Sequence, residues 1–185
     1  PESAAVQRDA RMSDFTTFRL GGSCPALIDC PDATVLSKTA AMLAERGIEF
    51  IVIGQGSNLL VSDAGIDSVI LRYVTEQPDI DVDGCRVRVS GNTILDDLPR
   101  IAIEQGIGDV SFLSGIPGTV GGAIAGNAGA FGQQIGDVIE SVRLMDLTGD
   151  VQTVSADELA FEYRSSILKT TGAVVLDAVL KLKPI

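Results

Sequence analysis

The sequence predicts an α+β protein with two lobes, a small one built on a strand-helix-strand unit and a larger one built on a mixed or antiparallel sheet with helices. An apolar segment at 26–30, a helical pattern and a second apolar segment at 50–53 follow one another, which is typical of parallel strands. After a polar stretch at 75–78, apolar and charged residues alternate as they do in hairpins. We therefore expect one lobe over residues 1–75 and a second over residues 76–185.

The first lobe begins with a polar segment, residues 1–12, which has no period and predicts an irregular arm. The helix that follows the first strand has a start signal in Asp32, whose carboxylate can accept from free first-turn amides, and a stop signal in Gly47. The strand at 50–53 leads into a glycine-rich turn, and another strand at 68–74 completes the lobe.

The second lobe opens with a hairpin pattern over 80–90, which has a tight turn at Asp83-Gly84. Thr93 and Asp96 have the spacing of a capping box for a helix that reaches Gly106, with Pro99 as a kink or a delayed start. The segment from 114 to 132 is so dense in glycine that we expect no packed element there.

The remainder of the second lobe is predicted to be mostly strand. We expect strands at 142–147 and 151–154 around a turn, and a last strand at 173–182. Between them, Ser155 with Glu158 three residues later predicts a capped short helix.

Composition excludes several classes of function. There are 25 acidic and 14 basic residues, a net charge of −11, so nucleic acid and anionic membranes are poor partners. There is no histidine, which excludes a Ser-His-Asp triad, a Cys-His pair, histidine-ligated zinc and a flavin linked through histidine.

The cysteines and the hydropathy of the chain predict a location. Cys24, Cys30 and Cys85 fit no metal or redox motif, and we interpret them as reduced, buried structural thiols. No apolar run is long enough to span a bilayer, and no leader opens the chain. We therefore expect a cytoplasmic protein without a metal site, and nothing in the sequence points to a protein partner.

Two glycine-rich loops are the candidate ligand sites. Glycine lets backbone amides approach a phosphate without a Cβ in the way, and Ser57, Asn58 and Thr119 add polar side chains. The first loop alone is equally compatible with a plain turn after a strand, since it matches neither the dinucleotide fingerprint nor the phosphate-binding loop.

Taken together, four motifs resemble the FAD-binding region of the UDP-N-acetylenolpyruvoylglucosamine reductases. They occur in family order and cover nearly all of the chain. The motifs are Thr17-Phe18-Arg19-Leu20-Gly21-Gly22, Gly54-Gln55-Gly56-Ser57-Asn58-Leu59-Leu60-Val61, the run Gly115-Ile116-Pro117-Gly118-Thr119-Val120-Gly121-Gly122-Ala123 continued by Asn127-Ala128-Gly129, and Tyr163-Arg164-Ser165-Ser166.

The resemblance implies a two-lobed FAD-binding fold of the vanillyl-alcohol oxidase type, with non-covalent FAD extended between the lobes. It implies that residues 54–59 wrap the pyrophosphate, that residues 115–119 and 121–123 line the rest of the dinucleotide, and that residues 127–129 lie near the flavin ring. It further implies that NADPH donates a hydride and that a UDP-sugar with an enolpyruvyl group is the bacterial cell-wall substrate. Arg164 matches the arginine that stabilises negative charge on this substrate, and Tyr163 is either a substrate contact or a buried structural tyrosine.

The sequence departs from the family pattern in three places. Thr16 stands where the family usually has Asn, and Gln133-Gln134 stands where a Gly-Glu pair is common. The family's general-acid serine and its late glutamate, in a third substrate-binding region, have no counterpart here, and neither Ser165 nor Ser166 matches that serine. The alternative interpretation is therefore an FAD-binding module that reduces no sugar nucleotide.

Overall fold

A computed structural model describes residues 4–75, 77, 79–108 and 110–184. The chain divides into two compact units, Pro1–Val74 with Leu147–Asp150 and Thr75–Asp146 with Val151–Ile185. Sequence alone assigned the turn at 147–150 to the second lobe. It belongs to the first unit, where a Cβ added to Gly149 would lie 2.9 Å from the Ala41 Cβ.

The first unit contains a four-stranded sheet in the order β1-β2-β4-β3 and one helix, α1. The strands β2, β4 and β3 are parallel, and β1 is antiparallel to β2. The elements of this unit are β1 Ala5–Arg11, β2 Ser23–Asp29, α1 Ala33–Glu45, β3 Phe50–Ile53 and β4 Val69–Arg72.

The prediction of an irregular arm at residues 1–12 is wrong over residues 5–11, because β1 is an edge strand, irregular at Asp9 where φ is +49°. Residues 1–3 of the predicted arm lie outside the described residues. The strand pairs with β2 from Ala5 opposite Asp29 to Arg11 opposite Ser23, and only Ala10 is buried. Backbone hydrogen bonds therefore hold a polar strand that has almost no apolar side chains to bury.

The strand-helix-strand unit has the predicted elements, but its two strands have a different pairing partner. The two strands that flank α1 do not pair with each other, since each pairs with β4. The helix begins as predicted: the Val35 N–H donates to Asp32 Oδ1 at 2.8 Å. Gly47 has a φ of +64°, the left-handed conformation that glycine adopts after a helix.

The second unit contains a five-stranded antiparallel sheet in the order β10-β9-β11-β6-β5, and a separate two-stranded hairpin. Helices α2 and α3 belong to it, and its core lies between the sheet and these helices. The elements are β5 Ile80–Asp83, β6 Arg86–Ser90, α2 Asp97–Glu104, α3 Val120–Ala125, β7 Gly129–Ala130, β8 Gln133–Gln134, β9 Ile139–Met145, β10 Val151–Ser155, α4 Leu168–Thr171 and β11 Val174–Lys181.

Of the two predicted helix caps in this unit, one is wrong and one is confirmed. Thr93 is fully buried and accepts from the Asp79 N–H at 3.2 Å, so it does not cap α2, which begins at Asp97. Ser155 and Glu158 form the predicted capping box, on the short 3-10 helix Ala156–Leu159. The hydrogen bonds from Ser155 lower the pKa of the Glu158 carboxyl.

The glycine-rich segment contains a helix where none was expected. Gly121 and Gly122 lie inside α3, which packs against β6 and β11. A Cβ on Gly121 would stand 3.0 Å from the Gly91 carbonyl oxygen and 3.5 Å from the Val175 side chain. The small residue therefore lets the helix approach the sheet backbone closely.

The helices of the described residues are short, the longest being α1 with 13 residues, and none of them could cross a membrane.

Candidate functional site

In the first unit, the first two motifs pack directly on each other. The Thr17 N–H donates to the Gly56 carbonyl at 3.2 Å, and the Gly22 N–H donates to the Ser62 carbonyl at 2.9 Å. A Cβ on Gly21 would lie 2.7 Å from the Val61 Cβ. The loop that follows β3 is therefore held by the turn that follows β1.

Gly56 is the position in this loop that requires glycine. Its φ is +64°, and a Cβ there would stand 2.2 Å from the Phe15 carbonyl oxygen. Both the conformation and the close approach exclude a larger residue without a shift of the backbone.

Three consecutive amides in this loop are available to a ligand. Within the described residues, the N–H groups of Gly56, Ser57 and Asn58 donate no hydrogen bond. Ser57 is partly exposed and Asn58 is exposed, and their side chains have no protein partner in that part of the chain either. Successive free amides beside a left-handed glycine are a setting in which proteins bind phosphate.

The other predicted residues of this loop have different surroundings. Leu59 packs against the core of the first unit, and Gln55 already has an interaction within the protein. Gly54 continues β3 and is partly exposed. Among the described residues, the amides of this loop without an acceptor are thus those of the buried Gly56, the partly exposed Ser57 and the exposed Asn58.

In the second unit, the long loop is anchored at its start by Asp96. One carboxylate oxygen of Asp96 accepts from the Gly115 N–H at 2.8 Å and from the Ser114 hydroxyl at 3.2 Å. Further along, the Gly118 carbonyl accepts from the Leu95 N–H at 2.9 Å. Ile116 packs against the core, whereas Pro117 is exposed.

The first turn of α3 has internal acceptors for its amides, in contrast to the loop after β3. The Val120 and Gly121 N–H groups donate to the Thr93 and Gly91 carbonyls, each at 2.9 Å. The Gly122 N–H donates to Thr119 Oγ1 at 3.3 Å, and the Ala123 N–H donates to the Thr119 carbonyl. Any ligand contact here must use the exposed surface of Gly122 rather than free N–H groups.

Asn127 is almost fully buried, with 1% of its surface exposed. Its Nδ2 donates to Gln134 Oε1 at 2.9 Å and to the Glu162 carbonyl at 2.8 Å, and its Oδ1 accepts from the Gly136 N–H at 3.1 Å. The two residues that follow are also packed into the unit. The Ala128 N–H donates to the Ala123 carbonyl at 2.8 Å, and Gly129 is buried.

The fourth motif forms a tight turn with two residues at its tip. Glu162 and Ser165 exchange backbone hydrogen bonds of 3.0 and 3.2 Å, and Arg164 has a left-handed φ of +55°. Tyr163 is 85% exposed, so the alternative of a buried structural tyrosine is wrong.

The Arg164 side chain is exposed and stacks beside Tyr163. Its guanidinium carbon lies 5.5 Å from the ring centroid, and it forms no ion pair with any described residue. Ser166 is buried, and its hydroxyl donates to the Ala125 carbonyl at 2.9 Å. The motif therefore presents a cation and an aromatic ring on a base that is fixed by Ser166.

Sequence reasoning missed three contributors to these loops: Asp96, Gln134 and the backbone carbonyl of Glu162. Each of these contacts joins residues that lie at least seven positions apart in the sequence, and two of them involve a backbone atom. A local sequence pattern therefore could not identify them. The side-chain amide of Gln134 both accepts from Asn127 and donates to Asp137.

The cysteines are reduced thiols in this structure, and Cys24 and Cys30 are buried. Desolvation by burial raises the pKa of both, that of Cys30 to about 11. Cys85 is only partly buried, so the prediction of burial is too strong there. No three Cys, Asp or Glu side chains of the described residues are grouped closely enough to hold a metal ion.

The class of protein follows from comparison with protein families. The family model for the FAD binding domain matches residues 25–155, which include both glycine-rich loops. The chain belongs to this family of FAD-binding domains. A solved structure of 6-hydroxy-D-nicotine oxidase from Arthrobacter nicotinovorans shares the fold, with a TM-score of 0.72 at 24% identity over 100% of this chain and 43% of that chain. The α+β fold of the vanillyl-alcohol oxidase type is confirmed.

The particular relatives are UDP-N-acetylenolpyruvoylglucosamine reductases. Those of Clostridioides difficile and Paramagnetospirillum magneticum are 33% and 38% identical over 96% and 95% of this chain, and 59% and 57% of their own lengths. The solved structure of the reductase from Thermus caldophilus has a TM-score of 0.83 at 32% identity, over 98% of this chain and 63% of that one. The predicted resemblance is confirmed, and the chain spans somewhat less than three fifths of these curated relatives.

Proposed function

We propose that this chain is the FAD-binding part of an NADPH-dependent reductase that converts the enolpyruvyl ether of a UDP-N-acetylsugar into the corresponding lactyl ether, UDP-N-acetylmuramate, for peptidoglycan synthesis. The carrying observation is that the amides of Gly56, Ser57 and Asn58 have no acceptor among the described residues, in a chain that belongs to the FAD-binding domain family. Similarity to the named reductases supports the reaction.

The loop over residues 54–59 fits a pyrophosphate. An acidic chain repels a polyanion at long range, so binding must rest on short N–H donation and on the Ser57 and Asn58 side chains. Gly56 allows this arrangement because the Phe15–Thr17 backbone lies directly behind it. In this proposal residues 115–119 and 121–123 line the rest of the dinucleotide, and residues 127–129 lie towards the flavin.

FAD, when bound, supplies the transfer of a hydride from NADPH to the enolpyruvyl carbon. That transfer leaves negative charge beside the substrate carboxylate, which a fixed cation stabilises until a proton from a general acid completes the lactyl ether. Arg164 fits this role, since its guanidinium forms no ion pair with any described residue and lies at the tip of a hydrogen-bonded turn. Tyr163 beside it offers an aromatic face to the substrate.

The test uses Arg164→Met in the complete gene product, with Arg86→Met, an exposed arginine of the same unit, as the control. Loss of one charge-stabilising group costs about 10²–10³ in kcat. We expect that loss in oxidation of NADPH that depends on the UDP-enolpyruvyl sugar, with unchanged reduction of the flavin by NADPH alone. Equal kcat in the two variants would contradict the role of Arg164, and absence of sugar-dependent turnover in the unaltered protein would contradict the proposed reaction.

A further inference from the structure

Asn127 connects two exposed turns of the second unit. Through Gln134 it contacts the β7–β8 hairpin, whose tip carries Phe131 with 93% of its surface exposed. Through the Glu162 carbonyl it contacts the turn that carries Tyr163 and Arg164.

The side chain of Asn127 has no free donor for a ligand. Both N–H bonds of its amide are used, at 2.9 and 2.8 Å, and its oxygen accepts from Gly136. A direct contact with the flavin through the side-chain nitrogen would break one of these bonds in a nearly water-free site. The geometry therefore favours an action of Asn127 through the turns that it holds.

Two fixed points at the end of α3 support the Arg164 turn. Asn127 binds the Glu162 carbonyl before the turn, and the Ala125 carbonyl binds the Ser166 hydroxyl after it. Lys169 adds a third contact, because its Nζ donates to the Arg164 carbonyl at 2.6 Å. Of these three contacts, the one through Asn127 comes from a buried side chain that also contacts the β7–β8 hairpin.

We propose that Asn127 is a positioning residue, which sets the place of the Arg164 guanidinium by fixing the turn at residues 162–165; its consequence for catalysis rests on the proposed function. Asparagine suits this position for two reasons. Its φ of +43° is left-handed, which asparagine tolerates better than most residues. It also offers donors to two acceptors and an acceptor to one donor, a combination that aspartate lacks when ionised.

The first arm of the test measures the turn itself, without flavin or substrate. Asn127→Asp places a carboxylate oxygen against the Gln134 and Glu162 oxygens, and Asn127→Gly keeps the left-handed backbone while removing all three hydrogen bonds. Val142→Ala, in the buried core of β9, serves as a control for general loss of stability. The readout is the rate of trypsin cleavage after Arg164, with the products identified by mass spectrometry.

We expect cleavage after Arg164 to be about three- to tenfold faster in the Asn127 variants than in Val142→Ala, because local opening of the turn no longer breaks the hydrogen bond from Asn127 to the Glu162 carbonyl. Rates that match that of Val142→Ala overturn the inference. The Asn127→Gly variant keeps the test decisive if Asn127→Asp does not fold.

The second arm measures catalysis in the complete gene product. We expect the Asn127 variants to lose at least tenfold in kcat for the UDP-enolpyruvyl sugar, and we expect Asn127→Gly to have little further effect on kcat when it is added to Arg164→Met. Faster cleavage with a kcat equal to that of Val142→Ala overturns the positioning role. If the unaltered protein reduces no sugar nucleotide, the proposed function fails, and the trypsin rates alone decide whether Asn127 holds the turn.

Discussion

Gly56 and Gly47 have the same backbone conformation in different surroundings. Both have a φ of +64°, but a Cβ on Gly56 would meet the Phe15 carbonyl at 2.2 Å, whereas a Cβ on Gly47 would meet nothing within 4 Å. The pair therefore separates the cost of a left-handed alanine from the cost of close packing beneath the cofactor loop.

We expect Gly47→Ala to lower the free energy of unfolding by about 1–2 kcal/mol, the cost of the left-handed conformation alone. Gly56→Ala adds a collision with backbone, and we expect a loss of about 3 kcal/mol or more together with weaker FAD binding. Urea unfolding and FAD titration of both variants check this. Equal losses of stability and unchanged FAD affinity would show that the loop tolerates a Cβ.

Cys30 gives the first unit a dependence on pH at alkaline values. Burial raises the pKa of its thiol from near 9 to about 11, so the folded state holds the proton more tightly than the unfolded state does. The stabilisation is complete below pH 9 and is lost as the pH rises towards 11.

We expect the unaltered protein to lose up to about 3 kcal/mol more than Cys30→Ala does between pH 9 and pH 11. The measurement is the free energy of unfolding as a function of pH for both proteins. Parallel pH profiles would mean that the Cys30 thiol has the same pKa in the folded and unfolded states, which would contradict this expectation.

At the level of elements, the two glycines of α3 have different surroundings, one packed against the sheet and one exposed. Gly121 faces the sheet, with the Gly91 carbonyl 3.0 Å from an added Cβ, while Gly122 is exposed and meets only Thr119 Oγ1 at 3.5 Å. The two neighbours should therefore respond to alanine in opposite directions.

We expect Gly122→Ala to raise the free energy of unfolding by up to about 1 kcal/mol through helix propensity, and Gly121→Ala to lower it because α3 must move from the sheet. If Gly122 is the surface that a dinucleotide covers, its alanine variant should also bind FAD more weakly despite its greater stability. Destabilisation by both substitutions would contradict the conclusion that Gly121 faces the sheet and Gly122 faces solvent.

The sequence predicted the helix ends that are fixed by residues close to them in the chain. Asp32 and Gly47 mark the two ends of α1 through contacts within one helical turn, and the Ser155–Glu158 capping box spans four residues. Elements that depend on distant partners were not predictable in this way. The strand β1 forms because its backbone pairs with the edge of β2. Thr93 lies buried, where its hydroxyl accepts a hydrogen bond from the Asp79 N–H.

The same distinction applies to the candidate site. The glycine-rich loop at 54–59 and the Tyr163-Arg164 pair were recognisable as motifs because their chemistry lies in consecutive residues. The sequence could not show that the amides of residues 56–58 have no acceptor in the described part of the chain. Nor could it show that the first amides of α3 do have acceptors, since these are the Gly91 and Thr93 carbonyls. The sequence also could not show that the side-chain amide of Asn127 donates to Gln134 and to the Glu162 carbonyl.

For the whole molecule, the net charge of −11 makes a prediction about which kinds of contact hold FAD. Without an excess of basic residues, FAD must be held by neutral donors and apolar contacts, so its binding should depend only weakly on salt. Ligand binding to the folded state also raises stability, by about 2.7 kcal/mol when the ligand is at 100 times its Kd.

Titration of the purified chain, freed of any bound flavin, with FAD is the most direct test of the central claim. The account predicts saturable binding of one FAD per chain, a rise of the thermal unfolding midpoint with FAD concentration, and loss of both effects in Gly56→Ala but not in Gly47→Ala. Absence of saturable binding, with an unfolding midpoint that FAD does not change, would contradict it.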